Sequence, residues 1–238
     1  MTAALPPEPH PVADPAAPTA ADRFLWHHAC EIADRPTGLL PGYTEIHESL
    51  HAPEATQHCH DRFAFRIVPD ALGRALVSSV PRTHALPAPS TGRLPSLARQ
   101  LLDQLEDSLR ASYPLRSADP VPLRRLARTS LRSQRCTVFL VDRTTADFAF
   151  EFRVWIDTSA GFARRIDFLA RATRAGVGDI AITSANGLLR YRTDPLDRWF
   201  QSEAQLRLSF WSPVLELPPR GVAARTTLSS GYWRPGRG

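Results

Sequence analysis

The chain has 238 residues, a net charge of +5 and a pI of about 9.7, with enough length to bury a core. It contains no apolar run of membrane-spanning length, and its three cysteines are too few and too irregular for a disulfide framework. All 29 basic residues are arginine. A Walker A loop, a pyridoxal phosphate Schiff base and a serine-lysine dyad each need a lysine amine, so no nucleotide or PLP chemistry of those kinds is expected.

Residues 1–20 are rich in proline and alanine without apolar periodicity, which predicts a disordered or extended arm. Residues 21–33 read as a helix capped by Asp22, with Phe24, Leu25, His28 and Ile32 at helical spacing. Two prolines and two glycines within 34–42 break it. Thr44 then caps a short helix through His51, with Ile46 and Leu50 on one face, His47 and His51 on the next, and Pro53 as its limit. FAFRIV at 63–68 reads as a strand, and the stretch opening at Pro69 as a helix up to Val80. Four prolines make 81–95 a loop and the best candidate boundary within the chain.

The clearest helix is 97–111, where Leu97, Leu101, Leu105 and Leu109 recur every four residues while Arg99, Asp103 and Glu106 face away. LRRLARTSL at 123–131 reads as another short helix. Residues 137–141 and 148–156 are β-branched and aromatic, and the second run alternates with period two, so a hairpin is expected there. Residues 159–175 read as a helix ended by Gly176 and Gly178. A second hairpin is expected about Asn186-Gly187, followed by a helix from Asp194 and Pro195 to Leu206 and a final strand at 207–217.

This pattern predicts an α+β fold, with a mainly antiparallel sheet built from hairpins and packed by amphipathic helices. The predicted organisation is a 1–20 arm, a His/Cys-rich 21–80 segment, a 95–220 core and a flexible 221–238 tail.

Six of the eight histidines lie between Trp26 and His60, with Cys30, Cys59 and several glutamates. Imidazole, thiolate and carboxylate are transition-metal ligands, so the segment is a candidate metal site with zinc the expected ion. His47-Glu48-Ser49-Leu50-His51 fits H-E-x-x-H, in which two imidazoles one helical turn apart grip the metal and Glu48 acts as general base in metal-dependent hydrolysis. The third ligand is open among His58, His60, Glu54, His27 and Glu31, and the longer gluzincin and metzincin patterns do not follow. The competing reading is a non-enzymatic interaction domain, binding an acidic protein or nucleic acid through arginines at 116–135. Arg124, Arg128 and Arg132 would align as a stripe on a helix. No nucleic-acid motif accompanies them. Trp155, Trp199, Trp211 and Trp233 are candidates to line a ligand cavity, or scattered packing residues. With no secretory-type start, a cytoplasmic protein without membrane association is expected.

Overall fold

The computed structural model describes residues 16–35, 39–52, 58–69, 75–79, 94–116, 122–131, 133–194, 198–214 and 217–232. Their elements, in order, are α1 (Ala20–Asp34), β1 (Tyr43–His51), β2 (His58–Pro69), β3 (Ala75–Ser79), α2 (Ser96–Ala111), β4 (Leu123–Leu131), β5 (Gln134–Thr144), β6 (Phe148–Asp157), β7 (Ala163–Ala172), β8 (Gly176–Val177), β9 (Ile180–Thr193), β10 (Trp199–Trp211) and β11 (Arg220–Ser230). The strands form one sheet in the order β3-β2-β1-β11-β10-β9-β7-β6-β5-β4, with β8 paired to β9. Every pairing is antiparallel. The α+β class with a large antiparallel sheet is as the sequence indicated.

Period-two alternation decides which face is buried. Along β6, Phe148, Phe150, Phe152, Val154 and Ile156 are all at most 2% exposed. In register beside them stand Phe139 and Val141 of β5 and Ile166 and Phe168 of β7. Both helices cover this inner face. Trp26 of α1 meets Phe139 edge-on at 5.5 Å between centroids, and Ala98, Leu101, Leu102, Leu105 and Leu109 of α2 join the same core. Burial of each such leucine or phenylalanine stabilises by about 1.5–3 kcal/mol, so this apolar seam is what docks the helices. A smaller cluster of Cys136, Val138 and Trp155 packs on the outer face.

Thr19, not Asp22, is the α1 cap. Asp22 occupies the third helical position and completes a capping box by accepting from the Thr19 amide at 2.9 Å.

Several expected helices are strands. Residues 44–51 lie in β1, 123–131 form β4, 163–172 form β7, and the region expected to run as a helix to Leu206 enters β10. Of the helix expected before Val80, residues 75–79 are β3; 70–74, like 195–197, lie outside the described residues. Asn186-Gly187 is not a turn, because β9 runs unbroken through it. A Cβ on Gly187 would lie 2.7 Å from the Phe168 ring and 2.0 Å from the Gln205 carbonyl oxygen. The glycine serves close packing between strands rather than chain reversal.

Residues 220–230, read from sequence as the end of the core and start of a tail, form β11 between β1 and β10. One sheet therefore joins β1–β3 to the strands that follow α2. Of the N-terminal arm, residues 16–20 are described, and Ala16 exchanges two backbone hydrogen bonds with Arg125 at 2.8 and 2.9 Å.

Candidate functional site

The H-E-x-x-H spacing brings two imidazoles together only on a helix. In β1, positions four apart share a face but stand about 13 Å apart, several times a zinc–nitrogen bond length. His47 and His51 point outward, and Glu48 points to the opposite face. His60 pairs in register with Ser49, and its ring centroid is 5.9 Å from that of His47. His47 Nε2 is 2.5 Å from Glu45 Oε1, and Arg62 donates to the same carboxylate oxygen. The Arg62 bond, aided by His47 and opposed by partial burial, holds Glu45 below the usual carboxylate range.

His51 lies opposite His58 in the β1–β2 register, while the His58 side chain and Glu54 lie outside the described residues. His27 and Glu31 are exposed on α1. That helix packs beneath β5 and β6, and β6 is five strand positions from β1, about 24 Å along the sheet. Among the described residues no group of three His, Cys, Asp or Glu side chains could hold a metal ion. This overturns the expected zinc site and the metal-dependent hydrolysis built on it. Nor do the cysteines supply thiolates. Burial, with Asp34 nearby, pushes the Cys30 thiol up to about 11, and burial followed by Asp61 raises Cys59.

Glu48 has a structural setting. At 2% exposure it is held by two arginines. Arg225 of β11 donates to it at 2.8 Å, and Arg99 of α2 at 2.9 Å. Arg99 also reaches Asp61 at 3.1 Å, and Arg225 reaches Asp103 at 2.7 Å and Glu106 at 2.9 Å. Arg99, Asp103 and Glu106, expected to face away, therefore tie α2 to the β11-β1-β2 end of the sheet.

The arginine stripe does not form. A bulge between Arg125 and Ala127 puts Arg124 and Arg128 on opposite faces of β4. Arg124 pairs with Asp142 at 2.5 Å, Arg125 turns inward to Asp22 at 3.4 Å, and Arg132 lies outside the described residues.

The aromatic residues converge elsewhere. A cleft of about 380 Å³ opens where α1 and α2 end over β9 and β10, lined by Ala33, Arg35, Leu39, Tyr113, Tyr191, Trp199, Phe200, Gln201 and Tyr232. Tyr191 stacks on Trp199 at 4.3 Å and 12°. Phe200 packs on Tyr232 at 4.0 Å. The polar edges of the rings are engaged: Tyr113 donates to the Tyr191 oxygen at 2.8 Å, Trp199 to the Ala163 carbonyl at 2.6 Å, and Tyr232 to the Gln201 carbonyl. Burial, then the neighbouring Tyr191, raises the Tyr113 hydroxyl well above its ordinary range. Burial does the same to Tyr191, opposed by the Tyr113 bond. Both stay neutral. Among the described residues the lining carries no carboxylate, imidazole or thiol, and its one charge is exposed Arg35.

Of the four tryptophans named from sequence, Trp199 lines this cleft. Trp155 packs on the opposite face under Arg165, Trp211 is half-exposed, and Trp233 lies outside the described residues. Tyr113, Tyr191, Phe200 and Tyr232 carry no local signature, since they come from four separate segments that only the fold brings together.

No protein-family model matches the chain, and no curated protein does. Solved structures give likenesses. A LolA superfamily protein from Nitrosomonas europaea is 12% identical with a TM-score of 0.34, over 93% of this chain and 96% of that one. A structure from Vibrio parahaemolyticus, described as an outer membrane lipoprotein-sorting protein domain, is 12% identical with a TM-score of 0.36, over 87% and 92%. A DUF1329 family protein from Desulfovibrio piger is 9% identical with a TM-score of 0.38, over 92% and 95%. The expectation of a cytoplasmic metal protein is withdrawn: no group that could hold a metal is found among the described residues. Among the described residues no helix is long and apolar enough to cross a membrane.

Proposed function

We propose that this chain is a non-catalytic binding protein that takes the apolar tail of an acidic amphiphile into the aromatic cleft. The observation that carries this reading is the convergence of Tyr113, Tyr191, Trp199, Phe200 and Tyr232 on one open cleft. Aromatic rings whose polar edges are already hydrogen-bonded present apolar faces, and contact with them excludes water from a hydrocarbon group. The volume is at the lower end of small-molecule sites. Arg35 at the rim supplies a fork-shaped donor for a carboxylate or phosphate left outside the apolar space.

The test is titration with cis-parinaric acid, whose emission rises on leaving water. Saturable binding is expected, and Phe200→Ala should weaken it about tenfold or more, the equivalent of losing part of one buried ring. Arg35→Gln should weaken the acid while leaving the corresponding alcohol unchanged. Failure to saturate, or equal affinity in a folded Phe200→Ala variant, would overturn the proposal.

A further inference from the structure

A second groove, of about 790 Å³, lies between α1 and the β4–β5 hairpin and is bounded by the turn at 158–161. One wall is the helix face made by Ala21, Phe24, Leu25 and His28, positions that coincide at helical spacing. Phe24 is 76% exposed, although the other side of the same helix is buried. Its ring lies parallel to that of His28, 6.4 Å between centroids and 6° apart. Gly161 is what seats His28. It holds a φ of +74°, and a Cβ there would fall 2.2 Å from His28 Cδ2.

The facing wall is cationic. Arg128 pairs in register with Thr137, and Ser130 with Arg135. Residues directly opposite on paired strands point to the same face, so both arginines and both hydroxyls rise toward α1. Among the described lining residues the one carboxylate is Asp22, which is buried, engaged by Thr19 at 2.7 and 2.9 Å and by Arg125 at 3.4 Å, and also feels the charge of Arg128 without a salt bridge to it. Among the described residues no carboxylate is in salt-bridge contact with Arg128 or Arg135; Arg128 acts on Asp22 only through its charge. Two guanidiniums thus face an exposed planar apolar surface across a space of ligand size.

We propose that this groove binds an organic anion in which a planar apolar group carries a phosphate or carboxylate. The ring lies against Phe24 and Leu25, and the anion is held by Arg128 and Arg135, with the hydroxyls of Ser130 and Thr137 beside it. The site is separate from the aromatic cleft and shares none of its lining residues.

The experiment is calorimetric titration of the full chain with 1-naphthyl phosphate, using 1-naphthol and inorganic phosphate as part-ligands. Naphthyl phosphate is expected to bind at least tenfold more tightly than either part. The double variant Arg128→Gln/Arg135→Gln should raise its Kd at least tenfold, and Phe24→Ser should raise it severalfold. Both changes are at exposed positions, and far-UV circular dichroism checks that each variant is folded. Phe200→Ala, which alters the other cleft, should leave this Kd unchanged, so failure of one site is distinguishable from failure of the other. An unchanged Kd in the double variant, an unchanged Kd in Phe24→Ser, or inorganic phosphate binding as tightly as the naphthyl ester would overturn the proposal.

Discussion

Arg225 and Glu48 stand directly opposite each other on β11 and β1, and the guanidinium donates to the carboxylate at 2.8 and 2.6 Å. Both are buried, at 8% and 2% exposure. A buried pair contributes little net stability, because desolvation offsets the attraction, yet removing one partner strands a charge in low dielectric. Glu48→Ala leaves Arg225 with Asp103 and Glu106 nearer solvent, so a loss of about 3 kcal/mol is expected, toward the lower end for broken buried pairs. Urea unfolding measures it. A midpoint equal to that of the parent chain would show that the ion network does not hold α2 to the sheet.

Glu48 also explains why β1 was misread. Its inward positions are Ile46, Glu48 and Leu50, a strict period of two, but the middle member is charged and hides the alternation. What remains visible is Ile46 and Leu50 four apart, which imitates a helix. In β4 the bulge at Arg125/Ala127 breaks the alternation itself. In β7 the shift between Trp155 and Ile156 leaves Ala163 and Ile166 three apart before the period of two resumes at Phe168 and Ala170. Arginine, alanine and leucine there favour helix intrinsically, and sheet pairing overrides that preference. Where neither a bulge nor a buried charge intervened, as in α2 and the β5–β6 hairpin, the periodicity was legible. The aromatic cleft was not, because its rings come from segments up to 119 positions apart, Tyr113 to Tyr232.

Gly187 is required by contact rather than by conformation. Any side chain there meets the Gln205 carbonyl of β10 and the Phe168 ring of β7, at 2.0 and 2.7 Å from a Cβ. Gly187→Ala must push two neighbouring strands apart, and overpacking of this kind costs about 2 kcal/mol. A thermal melt should therefore fall by roughly 4–8 °C for a domain of this size. An unchanged melting temperature would mean that β7, β9 and β10 are not packed in this register.

Acid should unfold the protein through its buried aspartates. Burial alone would raise the Asp157 pKa, but hydrogen bonds from Ser159, Ala160 and Arg164 outweigh it and hold the group below its usual value of 3.8. Burial opposes ionisation of Asp22 too, but Thr19, Arg125 and Arg128 together hold it below its usual value. A carboxyl depressed in the folded state contributes stability above its unfolded pKa and loses it as pH falls through the folded value. Stability should therefore be flat near neutrality and decline below about pH 4. Asp157→Asn should flatten that acid decline while lowering stability at pH 7. Urea midpoints at pH 7 and pH 3 for both proteins test this, and an equally steep decline in the variant would contradict it.

Alkaline behaviour is set by buried thiols and phenols. Burial, with Asp34 adding to it and Arg143 opposing, lifts Cys30 from 9.0 to about 11. At pH 8 its thiolate fraction is about two orders of magnitude below that of an ordinary cysteine. Iodoacetamide should accordingly modify Cys30 far more slowly than free glutathione until denaturant is added. The linked effect has a definite sign. A group whose folded pKa is raised contributes stability that is complete below its unfolded pKa and disappears as pH rises through the folded value. Between pH 9.0 and about 11 Cys30 should therefore destabilise the fold progressively, in the same direction as the raised Tyr113 and Tyr191. Cys30→Ala removes the thiol's share and should shallow the decline over that interval. Rapid alkylation of the native chain at pH 8, or an alkaline decline identical in the variant, would place Cys30 in contact with water rather than on the buried face of α1.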